Sequence, residues 1–533
     1  MTRSWMPFRI LFAVILLAAS PLVAADVERA PANVIPQPEK MELRAGHFTL
    51  GSKTAIVCDS QTRQEAEYLA ELLRIPTGFE LPIREAASGE AVDCVVLSTV
   101  SDREQLGQEG YGLEVSAERV LVEAPTSTGV FYGIQTLRQL LPAAVESECL
   151  TCGVDWSVPC VEIEDKPRYC WRGLMLDPGH NFLTKEFTKR YIDAMALYKL
   201  NRLHWHLTDM GWAIEIKKYP ELTKIENWPP IAPRWRRVYG KCTQGFYTHD
   251  DVRELVAYAA SRHITIVPEI ELPAHSSAAL ACYPELLCPN WKSPVEKADS
   301  YFHFPFNYCA GNEKSFEFLE GVLSEVIDLF PSPYIHIGGD ERARGAWKAC
   351  PRCQARIQEE GLKNEDELQS YFVQRIGRFV VGKGRQIIGW TEIMEGGLAP
   401  GATLQSWLDA KHAVTAANQG HDVIVSTNKN CYLNYTGLGI EKCYAFEPTP
   451  PELSPEKAKH ILGLEPCLWG FPQHRHDELV FPRLCAFAEV GWSQKESRDW
   501  AGFKARLATH GRRLDELGID YNRDPNVWGH ASR

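Results

Sequence analysis

The stretch Tyr334-Ile335-His336-Ile337-Gly338-Gly339-Asp340-Glu341 joins a short apolar run to two glycines and two adjacent carboxylates. The apolar run is typical of a buried parallel strand, and glycines permit an unusual backbone and the close approach of a ligand. Neighbouring strand residues normally point to opposite faces, but a turn at the strand's end can bring Asp340 and Glu341 into one pocket. Like charges held close together do not both ionise easily, so one pKa rises and that carboxyl becomes a candidate general acid. A surface Asp-Glu turn is the alternative.

Similar apolar runs lie on both sides of this stretch, and amphipathic helices separate most of them. The predicted strands are Trp171–Asp177, Arg202–Asp209, Ile264–Glu271, Tyr334–Asp340, Gln386–Glu392, Thr403–Asp409, Asp422–Ser426 and Leu464–Trp469. Predicted helices between them include Lys185–Tyr198, Asp250–Arg262, Lys314–Phe330 and Asp366–Gly382. Eight strand–helix units between residues 166 and 525 predict an α/β fold of the (β/α)₈ TIM-barrel type.

The carboxyl ends of these strands carry polar and aromatic residues, which is where a barrel of this type places its active site. They include Asp177, Asp209, Glu271, His275, Trp390, Glu392, Trp407, Asp409, Tyr432, Asn434 and Trp469. Asp177 and Asp409 can alternatively be helix caps.

Two further regions precede the predicted barrel. Residues 1–25 combine basic residues, a short apolar run and a small-residue cleavage site, which indicates a signal peptide and export to the periplasm or the outside of the cell. Residues 26–165 mix short β-rich runs with helices and predict a small α+β domain. No segment is long and apolar enough to span a bilayer.

The composition narrows the class of protein. A net charge of −12, without a basic run bearing aromatics, argues against nucleic acid as a partner. Fifteen tryptophans mildly favour a protein that binds carbohydrate, although most of them are expected in the core. No cofactor is indicated, and the oligomeric state is not determined by the sequence.

Sixteen cysteines in an exported chain make disulfides plausible. Cys149 with Cys152 and Cys350 with Cys353 form two CxxC pairs, a spacing that also suits zinc. Because the pairs lie far apart and in different predicted domains, disulfides or buried thiols are favoured and no metal site is predicted.

The chain resembles the β-N-acetylhexosaminidases of glycoside hydrolase family 20 from about Val34 to Tyr521. The motifs that carry the resemblance are Trp171-Arg172-Gly173-Leu174-Met175-Leu176-Asp177, His204-Trp205-His206-Leu207-Thr208-Asp209, Pro268-Glu269-Ile270-Glu271-Leu272-Pro273-Ala274-His275, Gly338-Gly339-Asp340-Glu341, Gly389-Trp390, Tyr432-Leu433-Asn434, Phe481-Pro482-Arg483 and Ala488-Glu489-Val490-Gly491-Trp492.

The resemblance implies hydrolysis of terminal N-acetylhexosamine from a glycan by substrate-assisted retaining catalysis. Glu341 is then the acid and base, and Asp340 holds the acetamido group. The resemblance also implies that Arg172 contacts O3 and O4 of the sugar and that the hydrogen-bonded pair Asp209 and His275 adjusts the acidity of Glu341. Tyr432 is implied to orient the acetamido carbonyl. The implied walls of the pocket are Trp390, Trp407 and Trp469. A disulfide between Cys288 and Cys309 is also implied, because relatives often carry cysteines in this loop.

Some positions depart from the family pattern. The run Asp209-Met210-Gly211-Trp212 is one residue shorter than usual, and His180-Asn181 replaces Arg-His. Asn434 stands where Asp is common, and Phe471 stands where relatives have Glu, two positions that contact O4 and O6 in relatives. Since some relatives with Asn at this position accept 6-sulfated N-acetylglucosamine, the departures favour tolerance of a 6-sulfate. Looser O4 and O6 contacts that admit either epimer or a longer chain are the alternative.

Two other functions fit a sugar-binding barrel, because a fold does not fix a function. A retaining glycosidase with a protein nucleophile needs a second carboxylate about 5 Å from the acid, which Glu392 or Asp409 would supply. A non-catalytic glycan-binding barrel is expected to have lost Asp340 or Glu341, and both are present.

Overall fold

The computed structural model describes residues 33–85, 92–228, 243–289 and 306–528. The predicted signal peptide at residues 1–25 lies outside these ranges and stays a prediction. Within them, no helix has both the length and the apolar character needed to cross a membrane.

A seven-stranded mixed sheet with two long helices precedes the barrel. Its strands are β1 (Lys40–Thr49), β2 (Ala55–Cys58), β3 (Ile83–Glu85), β4 (Cys94–Thr99), β5 (Tyr111–Val115), β6 (Arg119–Ala124) and β7 (Ser157–Asp165), and its helices are α1 (Arg63–Thr77) and α2 (Ser127–Leu140). The spatial order is β1-β7-β5-β6-β4-β2-β3. Helix α2 begins where the Thr126 hydroxyl accepts the backbone N–H of Gly129. This confirms the predicted α+β domain.

A closed parallel barrel follows the small domain. Its strands are β8 (Trp171–Leu176), β9 (Arg202–His206), β10 (Thr265–Glu269), β11 (Tyr334–His336), β12 (Gln386–Trp390), β13 (Thr403–Ser406), β14 (Val423–Val425), β15 (Ile461–Leu464) and the two-residue β16 (Cys467–Leu468). Each strand from β8 to β15 pairs with the next in sequence, and β15 pairs with β8 to close the barrel. The predicted (β/α)₈ fold is confirmed.

The eighth strand differs from its prediction, which placed it at Leu464–Trp469. It starts three residues earlier and is interrupted at Glu465 and Pro466. The Glu465 carboxylate lies inside the barrel, where it accepts a hydrogen bond from Trp171 Nε1 at 2.9 Å. Pro466 has no N–H to donate to a neighbouring strand, so the ladder resumes only at Cys467.

Helices surround the barrel at positions close to those predicted. They are α3 (Lys185–Leu197), α4 (His249–Ala260), α5 (Ser277–Cys282), α6 (Glu313–Leu329), α7 (Arg344–Lys348), α8 (Pro351–Glu359), α9 (Glu365–Gly382), α10 (Ala410–Gln419), α11 (Asn428–Cys431), α12 (Ile440–Tyr444), α13 (Pro455–Ala458), α14 (His476–Val480), α15 (Arg483–Trp492), α16 (Trp500–Glu516) and α17 (Pro525–Trp528). The ends of the four predicted helices lie within two residues of those in α3, α4, α6 and α9.

The lower part of the barrel interior is an apolar layer. Trp171, Val267, Ile388 and Ile424 form one buried cluster, and they come from the alternate strands β8, β10, β12 and β14. Four side chains from alternate strands are the usual unit of packing inside such barrels. This layer fixes the positions of the strands whose opposite ends carry the predicted site.

Arg172 does not lie at the predicted site, which corrects its assignment to the sugar. It is the second residue of β8, so it lies at the amino end of the barrel, whereas the predicted site is at the carboxyl ends. Its two terminal nitrogens donate to both carboxylate oxygens of Glu109, in the small domain, at 2.9 and 3.0 Å. A planar guanidinium can donate to two neighbouring sugar hydroxyls, and it can equally donate to the two oxygens of one carboxylate.

A second buried ion pair joins the two domains. Lys199 Nζ lies 3.0 Å from Asp165 Oδ2, and both side chains are fully buried. Asp165 also accepts a hydrogen bond from Trp492 Nε1 at 2.9 Å. Among the described residues the junction therefore contains three Arg or Lys pairs with carboxylates: Arg172 with Glu109, Lys199 with Asp165, and Arg513 with Glu146.

One of the cysteine interpretations, the disulfide implied by the resemblance, is corrected. All fifteen cysteines that lie in the described ranges are free, so the implied disulfide between Cys288 and Cys309 is not formed. Cys350 and Cys353 lie beside Cys288 and Cys309 rather than beside the other CxxC pair. Sequence distance concealed this arrangement because three separate segments contribute to it.

We expect Asp165→Asn to lower the free energy of unfolding by about 3–5 kcal/mol, because it leaves the Lys199 ammonium buried without a counter-charge. Urea denaturation followed by tryptophan fluorescence measures the change. Glu164→Gln is the control at the adjacent residue, since Glu164 pairs with Lys40 in an exposed ion pair that contributes little. Equal losses in the two variants would contradict a special role for the buried pair.

Candidate active site

The two adjacent carboxylates stand on a left-handed turn that follows β11. The strand ends at His336, four residues before its predicted end, and the backbone has φ values of 65° at Gly338 and 99° at Gly339. Glu341 itself has a φ of 44°, which is uncommon for a residue with a side chain. The turn directs Asp340 and Glu341 toward the same histidine, His275.

Gly338 is required because another side chain occupies the space beside it. A Cβ atom at this position would lie 1.7 Å from Glu271 Oε2, far inside contact distance. The Glu271 carboxylate is buried, and its Oε2 atom has no hydrogen-bond partner among the described residues. Burial and the negative charge of Asp340 raise the pKa of Glu271 well above its usual range.

His275 connects the carboxylate pair to a buried aspartate. Its Nδ1 atom lies 3.0 Å from Asp209 Oδ2, and its Nε2 atom lies 3.6 Å from Asp340 Oδ2 and 3.5 Å from Glu341 Oε2. His275 is buried and has a φ of 49°. The structure thus brings together four of the predicted site residues in one chain of contacts.

The charges in this chain of contacts shift one another's pKa values. Burial disfavours protonation of His275, but the carboxylates of Asp209 and Asp340 outweigh burial and hold its pKa well above the usual range. Burial raises the pKa of Asp340 to about 6, and the negative charges of Glu269 and Glu341 add to the rise. Glu341 is half exposed, so it is the carboxylate that an external group can reach.

His180 also belongs to the site, although the sequence pattern identified it only as a departure from the family. Its Nδ1 atom lies 2.8 Å from Asp177 Oδ2 and its Nε2 atom 3.4 Å from Asp209 Oδ2. Asp177 also accepts the backbone N–H of Gly470 at 2.8 Å, so it ties the tip of β8 to the loop after β16. Asp177 is therefore part of the barrel mouth, and α3 is capped by Thr184 instead.

The predicted aromatic residues lie together above the barrel interior. Trp390 and Tyr432 belong to one buried cluster, against which the partly buried rings of Trp407 and Trp469 pack. Trp407 and Tyr432 are nearly parallel, at 10° with 6.1 Å between ring centroids. Trp390 donates its Nε1 hydrogen to Glu269 at 2.7 Å, which makes it the floor of this region. Flat apolar surfaces with a few polar groups are typical of sites for small organic ligands.

Glu392 also belongs to the site, whereas Asp409 does not. Trp407 Nε1 donates to Glu392 Oε2 at 2.9 Å. Burial, together with the nearby charge of Asp340, raises the pKa of Glu392 to about 8. Asp409 is exposed and caps α10 by accepting the backbone N–H of Lys411.

Asn434 and Phe471, two positions that depart from the family pattern, follow the site residues Tyr432 and Trp469 by two residues each. The buried Oδ1 atom of Asn434 has no hydrogen-bond partner in the described part of the chain. Phe471 is partly buried, and the Arg475 guanidinium lies 5.9 Å from its ring centroid. Arg475 is itself paired with Glu478, so the two departures leave a neutral amide and an aromatic ring at these positions.

This arrangement supports proton transfer next to an apolar surface. One reachable carboxyl, Glu341, lies beside a mostly buried one whose pKa is about 6, and a histidine paired with Asp209 contacts both. Groups whose pKa values lie near neutral pH are suited to general acid and base catalysis.

Comparisons with known proteins relate the chain to one family. Residues 169–495 match the family model "Glycosyl hydrolase family 20, catalytic domain", and residues 32–166 match "Glycosyl hydrolase family 20, domain 2". A β-hexosaminidase of Porphyromonas gingivalis is 40% identical over 92% of this chain, which spans 64% of that protein's length.

Solved structures show the same relationship. The GH20 β-N-acetylhexosaminidase of Streptomyces coelicolor A3(2) has a TM-score of 0.80 and 33% identity, covering 93% of this chain and 99% of its own. A GH20 exo-β-N-acetylglucosaminidase of Vibrio harveyi, solved in complex with N-acetylglucosamine, has a TM-score of 0.79 and 30% identity, covering 92% and 78%.

Proposed function

Because the chain belongs to glycosyl hydrolase family 20, as a glycoside hydrolase of the β-hexosaminidase type, we propose that it removes terminal N-acetylglucosamine or N-acetylgalactosamine from glycans. The observation that carries the proposal is the placement of Asp340 and Glu341 on one histidine beside a wall of aromatic rings. The signal-like residues 1–25 lead us to place this activity in the periplasm or outside the cell.

The proposed mechanism uses the substrate's own acetamido group as the nucleophile. The acetamido oxygen attacks the anomeric carbon while Glu341 protonates the leaving oxygen, so the glycosidic bond breaks and an oxazolinium ion forms. Water then attacks the anomeric carbon, Glu341 takes its proton, and the acetamido group is released. Two inversions at one carbon give net retention.

Asp340 and Tyr432 would orient the acetamido group in this mechanism. An ionised Asp340 accepts the acetamido N–H and stabilises the positive charge that develops on the ring. The Tyr432 hydroxyl donates to the acetamido oxygen and directs it at the anomeric carbon. Asp209 and His275 are positioning residues, since they act on the reaction through Asp340 and Glu341.

A protein nucleophile is less well supported by the residues available. A nucleophilic carboxylate must be ionised, but Glu392 has a pKa of about 8 and is mostly protonated at neutral pH. Asp409 is an exposed helix cap. The intact carboxylate pair also argues against a purely glycan-binding role.

We expect hydrolysis to depend on the acetamido group, so an aryl β-N-acetylglucosaminide should be cleaved at least about a hundredfold faster than the plain β-glucoside. Asp340→Asn should lower kcat by about 10²–10³-fold, as for the loss of one preorganised charge contact. Asp409→Asn is the matched control and should leave kcat within about twofold, because Asp409 only caps α10. Equal rates on the two sugars would exclude substrate assistance.

The pH dependence follows from the raised pKa of Asp340. Since the proposed role needs the ionised form, kcat/KM should rise with pH through about 6, and it should fall again at higher pH where Glu341 loses the proton that it donates. The rising limb reports Asp340. His275→Ala removes a cation 3.6 Å from Asp340, so the pKa of Asp340 rises and this limb should move to higher pH. His460→Ala, just before β15 at the opposite end of the barrel, is the control. The same limb in all three proteins would refute the assignment.

We also propose that the site accepts a sulfate on O6 of N-acetylglucosamine. An Asp at position 434 would repel a sulfate about 5 Å away by about 3 kcal/mol at an effective dielectric of about 20. Asn434 removes this repulsion and offers two amide hydrogens, and Phe471 adds no negative charge.

The test compares kcat/KM for 6-sulfated and unsulfated aryl N-acetylglucosaminides. We expect a ratio above about 0.01 in the wild type and a drop of at least about tenfold in Asn434→Asp. Asn430→Asp makes the same charge change in the wall of a separate pocket and should leave the ratio unchanged. The sulfate proposal fails if the wild type rejects the sulfated sugar more than about a hundredfold, or if the two variants behave alike.

A further inference from the structure

Four cysteines from three segments meet in a buried cluster outside the proposed catalytic site. Cys288, Cys309, Cys350 and Cys353 are each at most 1% exposed, and their sulfur atoms all lie within 4.8 Å of one another. Three of the separations are 3.7 Å from Cys309 to Cys350, 3.7 Å from Cys309 to Cys353 and 3.8 Å from Cys288 to Cys353. We refer to these residues as the four-cysteine cluster.

The sulfur separations fit a tetrahedral metal site rather than disulfides. A disulfide brings two sulfur atoms to about 2.05 Å, much closer than any measured pair in the cluster. Four thiolates on a zinc ion at about 2.3 Å occupy the corners of a tetrahedron whose edge is about 3.8 Å. The three separations agree with that edge, and four sulfur ligands in tetrahedral geometry select zinc or iron.

The local backbone favours thiolates at this place. Cys350 immediately precedes α8, and Cys353 lies in its first turn, where unpaired backbone N–H groups stabilise negative charge. The CxxC spacing brings both sulfur atoms to the same side of the helix start, as in structural zinc sites.

A glycine lets the segments approach closely enough to complete the cluster. A Cβ atom on Gly311 would lie 2.2 Å from the backbone carbon of Arg352 and 2.5 Å from the nitrogen of Cys353. Any other residue at position 311 would push the segment that carries Cys309 away from the CxxC segment. The backbone contact therefore exists only because residue 311 has no side chain.

We propose that Cys288, Cys309, Cys350 and Cys353 bind one structural zinc ion. Four protein ligands leave no open position, so the ion would have a structural role and would not take part in the reaction. The cluster joins the loop after β10, which carries His275, to the segment after β11, which carries Asp340 and Glu341. Zinc would therefore fix the two loops whose separation sets the contacts of His275 with the carboxylate pair.

The first test is the metal content of the full-length protein, purified without chelators and measured by plasma mass spectrometry. We expect about one zinc ion per chain, released in step with modification of four thiols by a mercurial reagent. Cobalt should replace zinc in the demetallated protein and give the absorption bands of tetrahedral cobalt thiolate. Less than about 0.1 zinc per chain, iron in its place, or a disulfide between any two of the four cysteines would overturn the proposal.

Two variants locate the ion. Cys353→Ser should reduce bound zinc to below about 0.1 per chain, whereas the double variant Cys149→Ser/Cys152→Ser should retain about one, because that exposed CxxC pair is not in the cluster. Undiminished zinc in Cys353→Ser would show that the ion binds elsewhere. If Cys353→Ser does not fold, the thiol-release and cobalt measurements on the wild-type protein decide the question.

Discussion

The buried carboxylate of Glu269 is the constraint around which the upper barrel is arranged. It accepts from Trp390 Nε1 at 2.7 Å and lies 2.7 Å from His336 Nδ1 and 3.0 Å from His204 Nε2. Burial alone would raise its pKa, but the surrounding histidines outweigh burial and hold that pKa well below the usual range. An unpaired charge at this depth is strongly destabilising, so strands β9, β11 and β12 must all supply partners. The floor of the candidate site follows from that requirement, because Trp390 is one of those partners.

The architecture could be predicted from the sequence because every strand–helix unit repeats the same pattern of apolar and polar residues. Parallel barrel strands are apolar along their length and polar at one end, and helices between them have the longer period, so eight units could be recognised. Strand ends were less predictable, since β11 stops at His336, just before the left-handed turn at Gly338, and the eighth strand breaks around Glu465. Both interruptions depend on contacts that side chains make across the barrel. The local sequence pattern carries no information about those contacts.

The candidate site was predictable to the extent that its residues belong to compact motifs. Asp340, Glu341, His275 and Asp209 meet as expected because each stands just beyond a strand whose neighbours were known. Arg172 was misplaced because an arginine suits either a sugar or a carboxylate, and only its position along β8 distinguishes them. The four-cysteine cluster was missed for a different reason, since its ligands come from segments separated by 20 to 40 residues and only one pair has a metal-like spacing.

At the junction between the domains, the positive partners of the interdomain ion pairs lie on one side and the negative partners on the other. The cations Arg172, Lys199 and Arg513 belong to the barrel, and their partners Glu109, Asp165 and Glu146 belong to the small domain. A barrel transferred alone by recombination would therefore carry three cations whose carboxylate partners its new host lacks. Reversing the sign of one partner would require a simultaneous change in the other. The two domains are consequently expected to be inherited as a single module, and a chimera of domains from different relatives should succeed only where both halves keep the same assignment of charges.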